Sequence, residues 1–118
     1  MRVVNLTKHS VVVYDGDTVI AQWPPSGSFA RIAEVADPAG ELSVDGTPVP
    51  TVSCRYVDVV EDLPGAQKGV VYVVSRVLAS VVPRGDIYFP YDEVRDHTGA
   101  IIGCRSLAQF AGSSQSRV

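Results

Sequence analysis

Asp15-Gly16 and Asp45-Gly46 each separate two runs suited to strands, SVVVY from TVIAQW and ELSV from TPVPTV. A two-residue type I′ turn needs positive φ at both central positions, which Asp and Gly tolerate, so each pair predicts a tight hairpin. The apolar residues agree, because valine dominates them and leucine is scarce, a bias toward strands over helices.

Reading onward, Pro24-Pro25-Ser26-Gly27 ends the second strand, since proline supplies no ladder donor and Ser-Gly favours a turn. FARIAEVA, residues 29–36, spaces its apolar positions almost as well for a helix as for a strand; we take it as a strand. TVSCRYVDVV puts Val52, Cys54 and Tyr56 on one face and then slips phase to Val57 and Val59, as a bulge or bend would produce. GVVYVV, residues 69–74, is apolar on both faces and predicts a central strand covered on two sides. Ser75 is placed to cap a helix over SRVLASVV, with Val77, Leu78, Val81 and Val82 on one face and Pro83 as its stop. DIYF is a further strand, Asp96 to Gly99 a turn, and AIIGCRSL the last strand. The fold class is α+β: a mostly antiparallel sheet, a partly closed barrel or sandwich, with one short helix.

With 118 residues the chain suits one core, so residues 1–111 form a single β-rich domain and the polar residues 112–118 a flexible tail. Edge strands in so small a sheet favour self-association, and a homo-oligomer is expected. A net charge of -3 and a pI near 5.2 disfavour nucleic acid and anionic membrane as partners. No apolar run reaches the roughly 18 to 20 residues that span a bilayer, and the N-terminus lacks a secretory pattern, so a cytoplasmic location is expected. Cys54 and Cys104 lie far apart with no second Cys or His at metal spacing. They predict two buried free thiols rather than a metal site or disulfide, and no cofactor is implied.

Two groups of side chains are candidates for binding. Asn5, Thr7 and His9 gather donors, acceptors and a titratable ring in one short stretch, and alternation along Arg2 to Thr7 points Asn5 and Thr7 together. The alternative is that Asn5 and Thr7 bond nearby backbone and His9 is a solvated turn residue. Arg55 and Arg105 each interrupt an apolar strand directly after a cysteine, and with Arg95 they are the candidate contacts for a small anion. Arg31 and Arg76 belong to the same basic set. Against that reading, each guanidinium could pair with Asp58, Glu61, Asp86, Glu93 or Asp96, or face water. Ser75 lacks a Gly-x-Ser-x-Gly elbow, and no phosphate loop, HExxH, CxxC pair or Cys-His-Asn set is present, so a non-catalytic protein is expected. A hydrolase using His9 or His97 with a nearby acid ranks last.

Taken in order, VNLTKHSVVVY, PPSGSFARI, GVVYVVSRVLASVVPRGDIYFP and VRDHTGAIIGCRSL resemble a family of small proteins found in bacteriophages and prophages. Its members usually read VNLTPH, PSGxxARV, EGLP and VRDxxGxIIGCR. This chain departs at Lys8, where relatives carry Pro, and at Glu61-Asp62-Leu63-Pro64, where they carry Glu-Gly-Leu-Pro. The resemblance implies a phage or prophage origin, and with it a bacterial host cytoplasm, rather than a chemistry. The expected function is a non-catalytic accessory protein that binds a host protein or a small anionic, nucleotide-like ligand; the alternative is a minor structural component of the virion.

Overall fold

The structure is a computed structural model that describes residues 1–111, so the expected tail at 112–118 lies outside the described residues. The strands are β1 (Arg2–Asn5), β2 (Val11–Asp15), β3 (Thr18–Trp23), β4 (Arg31–Val44), β5 (Thr47–Glu61), β6 (Val70–Val73), β7 (Ile87–Arg95) and β8 (Ile101–Ala108). One helix, α1 (Arg76–Val81), lies between β6 and β7. The fold is α+β and mostly β, with a mixed six-stranded sheet ordered β1-β6-β7-β8-β2-β3 and a separate antiparallel pair, β4-β5. Most of the register is antiparallel, while β1 with β6, β6 with β7 and β8 with β2 run parallel.

Valine alternation builds a core on each face of the sheet. Tyr72 and Val74 point into a cluster with Leu6, Ala30, Leu78, Ala79, Ile87 and Phe89, whereas Val73 joins Val11, Val13 and Cys104 on the other face. β6 is thus covered on both sides, as its unbroken apolar run predicts. Val3 from β1 and Ala21 and Trp23 from β3 pack against this second cluster. Strands from opposite ends of the sheet order therefore share one core, and the sheet curls into a half-barrel. Where β8 meets β2, a Cβ on Gly103 would lie 2.6 Å from the Val12 carbonyl and 2.7 Å from the Tyr14 ring, so this close approach requires glycine.

Ser75 caps α1, its hydroxyl accepting the Leu78 N–H at 3.2 Å, and Pro83 follows the C-cap Val82. The buried face differs from the expected one. Leu78 and Ala79 are buried, while Val77 and Val81 are 43% and 50% exposed. Six helical residues are too few to lay down a continuous stripe, and the adjacent pair Leu78-Ala79 docks instead.

The Asp45-Gly46 turn has φ of 51° and 79° at its two central residues, between Val44 and its partner Thr47, as expected for type I′. The other hairpin slips by one. Asp15 pairs with Thr18, leaving Gly16-Asp17 as the turn, with φ 59° at Gly16 and a register shift at Val13/Tyr14. Residues 31–36 are strand, and β5 leaves register opposite Ile32/Glu34, across the Val57–Val59 stretch where the phase slip was read.

β4 and β5 run far beyond the two cores. At about 3.3 Å per residue, a 14-residue strand is roughly 45 Å long. The base of this arm meets the body through Ile32, which packs against the first cluster, while Arg31 ties the two strands of the base together by binding Glu61 at 3.1 Å and Asp62 at 2.8 Å. Residues 36–50 are exposed throughout. The radius of gyration is 17.8 Å, against about 13 to 14 Å for a compact chain of this length.

Candidate functional site

Asn5 ends β1 and is 2% exposed. Its Oδ1 accepts the Thr7 backbone N–H at 2.9 Å and the Thr7 hydroxyl at 2.7 Å. Its Nδ2 donates to the carbonyls of His9 at 2.8 Å and Trp23 at 2.9 Å. Three of these bonds stitch the turn after β1, and the fourth crosses to the last residue of β3. The Asn5 carbonyl accepts the Ser26 N–H at 2.9 Å, a second tie across the same gap. Asn5 is therefore a clasp between the two ends of the strand order. Leaving such a buried amide unpaired would cost about 1 to 3 kcal/mol, and among the described residues no buried side-chain N or O lacks a partner.

The opening cluster does come together, then, but around backbone. His9 is exposed and supplies its carbonyl, which also accepts the Thr7 hydroxyl at 2.9 Å. Lys8 sets its ammonium 4.7 Å from the centre of the Phe29 ring.

Thr7, His9 and Ser10 also border an open groove of about 550 Å³, with Val12, Val74, Pro90, Ile101 and Ile102. A hollow of this size could take a small ligand, such sites spanning about 300 to 1,000 Å³. Its charged lining is Glu93 alone, and no arginine or lysine reaches it, so it suits no anion. Cys104 also lines it; burial pushes this thiol up against the opposing pull of backbone hydrogen bonds at Tyr91 and Ser106, which disfavours a reactive thiolate.

The structure does not bring the candidate arginines to this groove. Arg55 lies on the arm with its Nε 4.0 Å from Asp37; Arg95 binds Glu93 at 3.0 Å and the Gly99 carbonyl at 2.7 Å; Arg105 donates to the Gly16 carbonyl at 3.2 Å. Each is exposed, and exposed pairs contribute about 0 to 1 kcal/mol. Arg76 lies 5.4 to 5.8 Å from the ring centres of Phe89, Tyr91 and Phe110. Cys54 is exposed rather than buried, because it sits on the arm, and Cys104 is buried as expected. The side chain of Asp58 is not among those described.

Sequence reasoning missed Arg84, the best-anchored guanidinium, which meets Asp86 at 2.7 Å and the Pro64 carbonyl at 2.9 Å; the i, i+2 spacing of Arg84 and Asp86 is the signal that could have found it. It also missed the reach of the arm, which carries exposed Leu42, Val44, Val49, Val52, Tyr56 and Val59. Among the described residues no cluster of His, Cys, Asp or Glu could hold a metal, neither histidine pairs with a carboxylate, and no helix is long and apolar enough to cross a membrane. No family model matches the chain, and neither a curated protein nor a solved structure matches it.

Proposed function

We propose that this chain is a small, non-catalytic accessory protein of a bacteriophage or prophage that acts as a homo-oligomer in the host cytoplasm and works through protein contact. The carrying observation is the arm: fourteen- and fifteen-residue strands with exposed apolar side chains and no third strand beside them among the described residues. A lone two-stranded hairpin is marginal in water, and large exposed apolar surfaces mark contact sites. A small anionic ligand is not part of this proposal, because Arg55, Arg95 and Arg105 each have a partner of their own and none lines the groove.

Sedimentation velocity from about 1 μM to about 1 mM tests self-association, and a single monomeric species throughout would overturn it. The free edges of the arm also favour a second reading, a minor virion component held by strand pairing. Mass spectrometry of purified particles separates the two: stoichiometric amounts support the virion role, and absence leaves the accessory one.

A further inference from the structure

Prolines reveal which way the backbone of the arm points. Pro38, Pro48 and Pro50 lie within the β4–β5 ladder, opposite Val52, Ser43 and Glu41. Proline has no N–H to give a neighbouring strand, so these are the pairs whose backbone groups turn away from each other. Alternation carries that direction along β5 to Val52, Cys54 and Tyr56, whose N–H and C=O groups line its outer edge. Pro48 and Pro50 interrupt this edge toward the tip, and the register shift at Val57–Val59 interrupts it toward the base. What remains is one short template, Thr51 to Tyr56, with Val52 60% and Tyr56 54% exposed and Cys54 exposed on the same face.

We propose that this edge of β5 pairs antiparallel with the same edge of a second copy, about a two-fold axis at Cys54, to make a four-stranded sheet from two arms. The inference rests on the self-association reading and names its surface and register. The β4 edge is the poorer choice, since it carries Glu34, Asp37 and Glu41 and is interrupted by Pro38, so two copies would oppose acids. Pairing β5 with a partner's β4 would leave further edges open and propagate, whereas β5 on β5 closes.

Charge and proline select the register. With Cys54 opposite the partner's Cys54, Val52 faces the partner's Tyr56 and all three outward donors are used. Moving the axis to Arg55 would oppose two guanidinium groups, and moving it to Ser53 would set Pro50 against Tyr56. In the chosen register Arg55 lies opposite the partner's Ser53, and in each copy Ser53 pairs with Asp37. Arg55 can thus reach over a small side chain to the partner's Asp37 while staying near its own, at 4.0 Å. So short a contact is small, and dissociation on the order of 10 μM is expected.

The test uses the full chain. Sedimentation should show a monomer–dimer equilibrium that Val52→Pro weakens at least about tenfold, since it removes an outward donor without touching the β4 ladder. Mild oxidation, with copper phenanthroline taking the two thiol electrons and base the two protons, should trap a Cys54–Cys54 disulfide dimer that Cys54→Ser abolishes. Circular dichroism on each variant shows that the fold is kept. A dimer that ignores Val52→Pro and does not cross-link, or that Ile20→Lys on the β3 edge disperses instead, overturns this surface while leaving self-association in place. A monomer at every concentration overturns both.

Discussion

Asn5-Leu6-Thr7 and Asp96-His97-Thr98 make the same turn in two parts of the molecule. In each, the first residue's Oδ1 accepts both the backbone N–H and the hydroxyl of the threonine, at 2.9 and 2.7 Å in one and 2.8 and 2.6 Å in the other. They differ in what the remaining side-chain atom must do. At Asn5, buried at the sheet ends, two carbonyls lie within reach of Nδ2 and need a donor. At Asp96, in the solvated turn between β7 and β8, Oδ1 instead accepts a third hydrogen bond, from the Ala100 N–H at 3.1 Å. Asparagine is therefore required where the turn is buried, and aspartate suffices where it is solvated. A negative charge is costly only in the first setting.

Asn5→Asp should break this relationship with the largest effect. It keeps the shape, but it replaces two donors with a buried carboxylate facing the His9 and Trp23 carbonyls. The expected loss is on the order of 3 to 5 kcal/mol at pH 7, measured by urea denaturation. The introduced acid would be charged in the unfolded chain and resist charging in the folded one, so its folded pKa is raised. Protonation relieves the penalty, and the deficit against wild type should shrink as pH falls toward 4.

Thr7→Val comes next, at about 1 kcal/mol, because the hydroxyl sits between Asn5 Oδ1 and the His9 carbonyl in a half-buried turn. The matched change Thr98→Val should cost less, since water can replace its hydroxyl at Asp96. Equal losses in the two variants would mean that burial does not separate the turns.

How much of this was legible varied with how local the cause is. Asp45-Gly46 was readable because two adjacent residues suffice to set both positive φ values. Asp15-Gly16 slipped because its register depends on the irregularity at Val13/Tyr14, which the dipeptide does not contain. Asn5 and Thr7 were recognisable as partners of nearby backbone, yet the bond from Asn5 to Trp23 depends on the sheet curling, which only the three-dimensional path reveals. For the strand-borne arginines, pairing with a nearby acid stood as the alternative to an anionic ligand, and Arg95 takes it with Glu93, two residues earlier on the same strand face. Cys54 and Cys104 have similar flanks, CR after an apolar run, so nothing local foretold that one lies exposed on the arm and the other in the core.

The smallest effect, and the sharpest on the difference in charge, is at Asp96. Hydrogen bonds from the Thr98 side chain, then from its backbone, hold this carboxyl below its ordinary value of 3.8; desolvation opposes them, and lesser contributions from the Ala100 and Gly99 backbone add to the lowering. A group whose pKa is lowered on folding stabilises the fold above its unfolded pKa, and that contribution is lost as pH falls through the folded one. The turn should therefore stay closed from neutrality down to about pH 4 and loosen only below it, as followed by the amide shifts of Thr98 and Ala100. In Asp96→Asn the acid-dependent movement should vanish while stability at pH 7 stays nearly unchanged, because Oδ1 still accepts the same three donors. A large loss at pH 7 in that variant would show that the exposed turn depends on its charge, and that burial alone does not explain why the chain uses Asn in one copy and Asp in the other.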